Sequence, residues 1–132
     1  MRASGRWHTR GRRVVYCSES PAAALLEILV HFEIDVRDLP TRYRLLKLRG
    51  PDALVIEDLL ATDLPTDWLA HADRTRAMGD RWLHAGRSAL LRVPSAVVPE
   101  TFTILLNPGH AHAGRLELMQ VSEHVIDPRL LR

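Results

Sequence analysis

The sequence predicts an α+β fold: one domain of mixed strands with flanking helices. Three observations carry that expectation. Short β-branched segments dominate the C-terminal half. Two helical patterns sit between the earlier strands. The order of helices and strands makes no regular βαβ repeat. With 132 residues, the chain is long enough for one domain and too short for two of ordinary size.

The elements follow in order. Val14-Val15-Tyr16-Cys17 is β-branched and aromatic, and lies between arginine and serine, which marks a strand. Ser20-Pro21 marks a helix start, with serine as N-cap and proline at the first helical position, and the helix runs over 22–32. Residues 42–48 alternate roughly through Tyr43, Leu45 and Leu48 and form a strand that Gly50-Pro51 stops. Residues 53–60 fit a strand or a helix, and Leu64-Pro65-Thr66-Asp67 is a loop or turn. Residues 74–84 are helical, with Met78 and Trp82 one turn apart and Gly86 as the C-terminal cap. Strands follow at 89–93, ended by Pro94, and at 102–106, closed by Asn107-Pro108-Gly109. A last strand covers 115–121, where Leu116 and Leu118 alternate with charged neighbours.

Composition narrows the class. Hydrophobic residues make up 46 % and charged residues 26 %, a globular balance. Aromatics are only 5 %, so the core draws mainly on Leu, Val, Ile and Ala. Cys17 is the single cysteine, which excludes an intramolecular disulfide and fits a reducing compartment. No apolar run follows Met1, and no window approaches the ~20 apolar residues of a membrane span. A cytoplasmic protein is expected. Net charge is only +2, yet Arg2, Arg6, Arg10, Arg12 and Arg13 crowd the first stretch. That cluster attracts phosphates or is simply solvated.

Glu27 is the first candidate for chemistry. It interrupts a helix otherwise rich in Ala and Leu, and Ser20, Glu27 and His31 fall near one stripe. Ala23, Ala24 and Val30 flank it, so the carboxylate is expected to be partly sheltered, where charge counts for more than in water. An ordinary polar stripe is the competing reading. Arg6 can fork two hydrogen bonds to a phosphate, and Tyr16 can stack on a flat ring. Ser95 leaves a strand at "LRVP", and Asn107 precedes Pro108; each also suits a plain turn. His110 and His112 have no third partner at metal-ligand spacing, so no metal site is expected. Walker, GxGxxG and GxSxG motifs are absent.

Taken together, "GRWH…VVYCSESPAAALLEILVH", "LPTDW", "MGDRWLHAGRSALLRVPSAVVPE" and "LLNPGH" resemble the RES domain, the toxin half of Xre–RES toxin–antitoxin modules. The likeness runs from Gly5 to about Arg129, which assigns 1–132 to one RES domain. It implies an ADP-ribosyltransferase-like fold. It also implies breakdown of NAD⁺ at the nicotinamide–ribose bond, by phosphorolysis to nicotinamide and ADP-ribose 1-phosphate or by hydrolysis. NAD⁺ and inorganic phosphate are then substrates, with no cofactor. The resemblance makes Glu27, Arg6 and Ser95 the catalytic residues. Arg6, Tyr16, Ser95 and Asn107 would bind substrate.

The implied partners are an Xre-like antitoxin and a second copy in a homodimer inside the toxin–antitoxin complex. DNA is met only through the antitoxin, and no membrane is involved. The sequence departs from the family pattern at His8, where asparagine is usual, and at Thr103 and Ile104, where asparagine and an aromatic are frequent. Two other readings compete. One is a non-catalytic member that binds a partner or nucleic acid. The other is an enzyme that ADP-ribosylates protein.

Overall fold

The computed structural model describes residues 5–31 and 41–131. Its strands are β1 (Val15–Ser18), β2 (Arg42–Arg49), β3 (Ile56–Asp58), β4 (Leu90–Pro94), β5 (Phe102–Leu106) and β6 (Glu117–Val125). Its two α-helices are α1 (Pro21–His31) and α2 (Ala72–Ala85). Four strands form one sheet in the order β1-β5-β4-β3, and β2 pairs with β6 in a separate two-stranded ribbon. The fold is α+β, as the sequence predicts.

Most expected elements lie within a few residues of their sequence positions. The ambiguous stretch 53–60 contains the short strand β3, which runs parallel to β4. Only this pair needs a crossover, and α2 supplies it. The turn around Pro65 is flanked by 3-10 turns at Ala61–Asp63 and Trp68–Ala70. The last strand starts two residues later than expected and runs on to Val125. Leu116 instead precedes it and packs beside Leu54 and Leu90. The expected end of the first helix at Phe32 lies outside the described residues.

The helix ends obey the local chemistry. Ser20 Oγ accepts the Ala23 N–H at 3.1 Å and so caps α1. Gly86 takes a left-handed conformation, φ 62°, and its N–H reaches the Trp82 carbonyl at 3.2 Å.

The main core lies between α2, the four-stranded sheet and the segment around Trp7. Trp7, Trp68, Trp82, Leu91, Val93 and Leu105 are buried there. Leu91 and Leu105 pair across β4 and β5, so they face the same side. On this side, Tyr16 is level with Leu105. The opposite face carries a smaller cluster built on Leu54, Ala89 and Leu90.

Gly79 explains how α2 sits so close to the N-terminal segment. A Cβ at this position would fall onto the Trp7 carbonyl oxygen. Only glycine lets the helix cross there. Thr75 Oγ1 donates to the Arg6 carbonyl at 2.6 Å, and Arg76 Nε donates to the Gly5 carbonyl at 2.7 Å. Three residues of one helix therefore fix the backbone of Gly5, Arg6 and Trp7.

Candidate active site

Glu27 and Ser95 meet. The Ser95 hydroxyl donates to Glu27 Oε1 at 2.7 Å. Ser95 is only 4 % exposed and follows β4, while Glu27 is half-buried on α1. The same hydroxyl oxygen accepts the Val97 and Val98 N–H groups at 3.1 and 3.2 Å. A serine hydroxyl has one hydrogen and two lone pairs, and all three are in use. In this arrangement Ser95 has nothing left to offer a sugar or a phosphate directly. It holds the carboxylate, and the loop after β4 holds Ser95. The Ser95 N–H donates to the Thr101 carbonyl at 2.9 Å and closes that loop.

The shelter of Glu27 comes from this loop more than from its helical neighbours. Ala23 and Ala24 are half-buried beside it, but Val30 is exposed. Ser20 leaves the expected stripe to serve as the helix cap. The side chain of His31 lies outside the described set.

Tyr16 is engaged at its tip. Its hydroxyl accepts the Trp7 N–H at 3.0 Å and lies 2.7 Å from His8 Nδ1. The Trp7 N–H can only donate, and the imidazole tautomer sets which partner donates between Tyr16 and His8 Nδ1. Burial pushes the Tyr16 hydroxyl up to about 12, against the opposing pull of the Trp7 N–H. The phenol is therefore neutral across the ordinary range. His8 is itself buried, edge-on to the Tyr16 ring. The departure at His8 thus lies inside the protein, behind Tyr16.

Arg6 is half-buried, and its Nη1 donates to the Leu69 carbonyl at 3.1 Å. That bond uses one of the guanidinium's five donors. Thr103 is buried, level with Ser18 and Val93 in the sheet, near the end where Ser95 leaves β4. Ile104 packs against the smaller core on the other face, so this departure has a structural role.

Asn107 is not brought to Glu27. It follows Leu106 at the far end of β5, whereas Ser95 and Thr101 lie at the Phe102 end. Four strand steps of about 3.4 Å separate the two ends. The Asn107 Oδ1 accepts the Gly109 N–H at 3.0 Å and closes a local turn. Its side chain lines a separate hollow of about 280 Å³ with Arg12, Arg13, Leu83, Pro108 and Gly109.

The clamp formed by Thr75, Arg76 and Gly79 escapes a reading by residue type. A glycine in the middle of an otherwise regular helix was its one signal. Among the described residues, no group of three or more His, Cys, Asp or Glu is placed to hold a metal ion. No helix among them is long and apolar enough to cross a membrane.

A half-buried carboxylate on α1, anchored by a serine beside a small mixed sheet, defines the candidate site of an α+β protein. The fold is shared with the toxin–antitoxin complex MbcT–MbcA of M. tuberculosis, at a TM-score of 0.70 and 20 % identity over 96 % of this chain and 73 % of that one. A family model described as "RES domain" matches residues 1–127. The chain belongs to the RES domain family. It is 45 % identical to "Toxin Res" of Pseudomonas putida (strain KT2440), over 98 % of this chain and 88 % of that protein. It is 36 % identical to the "Prs ADP-ribosylating toxin" of Sphingobium sp. (strain YBL2), over 97 % and 81 %.

Proposed function

We propose that this protein is the toxin of a type II toxin–antitoxin system and breaks the nicotinamide–ribose bond of NAD⁺ by phosphorolysis. The products are nicotinamide and ADP-ribose 1-phosphate. One observation carries this reading: a half-buried carboxylate is held in place by a saturated serine. The names of its relatives as toxins support it.

In the cleavage, the bond from C1′ to the nicotinamide nitrogen breaks. Its electron pair goes to the nitrogen, which loses its positive charge and leaves as neutral nicotinamide. No proton donor is needed for this leaving group. Positive charge grows on the ribose, and an oxygen of inorganic phosphate forms the new bond at C1′. Glu27 stabilises that growing charge from a fixed position. Arg6 grips the pyrophosphate or the attacking phosphate. The Tyr16 hydroxyl is committed to Trp7 and His8, so its half-exposed ring is what remains to orient the nicotinamide end. Ser95 acts as a positioning residue through Glu27. In the cytoplasm the result is NAD⁺ depletion, checked by an Xre-like antitoxin, with the toxin working as a homodimer inside that complex.

The test is nicotinamide release from NAD⁺ by the purified protein, with and without inorganic phosphate, followed by phosphorus NMR. Phosphate-dependent release with a new phosphomonoester signal is the expected result. Release that ignores phosphate would reassign the reaction to hydrolysis. No release from folded protein would overturn the reading. A second reading has one specific observation behind it, the relative named as ADP-ribosylating. Label from NAD⁺ carried onto a protein, with little free ADP-ribose product, would favour it.

A further inference from the structure

Asp80 lies one turn beyond Arg76 on α2, beside Gly79. Its side chain is only 16 % exposed. Asp80 Oδ1 accepts the Thr9 N–H at 3.1 Å, and Oδ2 accepts the Thr9 hydroxyl at 2.8 Å. Oδ1 also lies 3.4 Å from Arg12 Nε. Thr9 and Arg12 are the first and last residues of one tight turn, in which the Arg12 N–H reaches the Thr9 carbonyl at 3.4 Å. Gly11 supplies the left-handed residue inside it, φ 94°. One carboxylate therefore holds both corners of the turn. The two arms of the turn carry Arg6 and Tyr16, and they close on each other where the Tyr16 hydroxyl accepts the Trp7 N–H. A Cβ at Gly5 would fall on the Tyr16 hydroxyl and the His8 ring, so no slack remains between the arms. Glu27 and Ser95 hang on other supports, α1 and the loop after β4.

We infer that Asp80 is a positioning residue of the candidate site. It fixes the turn, and through the turn the spacing of Arg6 and Tyr16, the two groups that hold NAD⁺ and phosphate in the proposed chemistry. The inference rests on that chemistry for what is held, and not for how the turn is built. Within the N-terminal arginine cluster, Arg12 thus serves the turn, since its charge faces Asp80. Holding without reacting has a kinetic signature. A loosened turn weakens the grip in the ground state and the transition state alike, so KM rises while kcat stays. Loss of folding alone does the opposite. Fewer active molecules lower the apparent kcat and leave KM where it was.

Steady-state nicotinamide release by the full chain, at varied NAD⁺ and varied phosphate, tests this. Asp80→Ala should raise both KM values roughly tenfold and change kcat less than about threefold. Asp80→Asn should keep both KM values within about threefold of wild type, because its amide oxygen still accepts the Thr9 N–H and its amide nitrogen donates to the Thr9 hydroxyl. The half-exposed ion pair to Arg12 is the smaller part. Glu57→Ala is the control. It cuts the 2.6 Å bond from the Ser88 hydroxyl on β3, at the opposite edge of the sheet from β1, and should lower stability with both KM values unchanged. Should Asp80→Ala fail to fold, Thr9→Val decides, since it removes only the exposed hydroxyl and should raise both KM values roughly threefold. Amide hydrogen exchange reads the turn without substrate. In the folded variant, protection at Thr9 and Trp7 should fall while that of Leu91 and Leu105 stays. Unchanged KM values, an Asp80→Asn chain as impaired as Asp80→Ala, or a Trp7 amide indifferent to the substitution would overturn the role and leave the NAD⁺ reading standing. A folded wild-type chain that releases no nicotinamide would overturn the NAD⁺ reading, and this role with it.

Discussion

Ser95 donates its only hydroxyl hydrogen to Glu27 Oε1 across 68 residues of sequence. This bond joins the loop after β4 to the middle of α1. It fixes where the carboxylate stands, which under the proposed chemistry is before any substrate arrives. Pre-set charge needs no reorganisation when the reaction occurs, and this is where electrostatic catalysis gains its strength.

Replacing Ser95 by alanine removes that donor and leaves the Val97 and Val98 N–H groups without their acceptor. The expected cost is about 1–3 kcal/mol of stability. Under the proposed chemistry, kcat for nicotinamide release falls more than the KM for NAD⁺ rises. Glu27→Gln keeps an acceptor for Ser95, so its melting temperature should stay near wild type while kcat falls roughly 10²–10³-fold. A folded Glu27→Gln protein that still stops growth would refute the role of the carboxylate.

Arg6→Ala should leave the fold nearly intact, because Thr75 bonds the Arg6 carbonyl and the side chain gives up only its exposed bond to the Leu69 carbonyl. The KM for phosphate should rise roughly tenfold, and Arg6→Lys should recover little of it, since an ammonium cannot fork to two oxygens. Steady-state kinetics at varied phosphate measure both.

Gly79→Ala should be strongly destabilising, by about 1–3 kcal/mol or more, because its new methyl group meets the Trp7 carbonyl. Gly114→Ala, where nothing lies within 4 Å, should stay within about 0.5 kcal/mol. Thermal unfolding of the two variants gives a direct contrast. Equal losses would show that the helix does not press on the N-terminal segment.

Tyr16 gives a pH signature. Its folded value of about 12 exceeds the 10.0 of an ordinary tyrosine. The folded chain therefore keeps a proton that the unfolded chain gives up. The resulting stability is fully present below pH 10 and is lost as pH rises toward 12. Tyr16→Phe should flatten this alkaline loss in denaturant titrations. It should also lower stability at neutral pH by about 1–2 kcal/mol, since the Trp7 N–H loses its acceptor.

Strong local signals made much of the fold legible in the sequence. Ser20-Pro21 and Gly86 mark helix ends because capping chemistry acts within a turn. Pro94 and Asn107-Pro108-Gly109 mark strand ends for the same reason. The pairing of β3 with β4 was not legible, since three residues carry no period. The split into a sheet and a separate ribbon was also hidden, because strand partners are chosen by long-range packing. At the site, Glu27 stood out as a lone acid among alanines and leucines. Its bond to Ser95 did not, because nothing local links a helix acid to a serine beyond β4. Family likeness placed Asn107 beside the same substrate, but the length of β5 holds it away from Glu27.

The strand order has a consequence in time. β1 carries Tyr16 and leads into α1, yet its neighbour in the sheet is β5. At a synthesis rate of about 5–20 residues per second, Glu27 is made several seconds before Ser95 and the strand that closes the sheet. A nascent chain during that interval has its carboxylate but no anchor for it. The anchor of the carboxylate is therefore assembled late in translation, when the chain beyond β4 has been made.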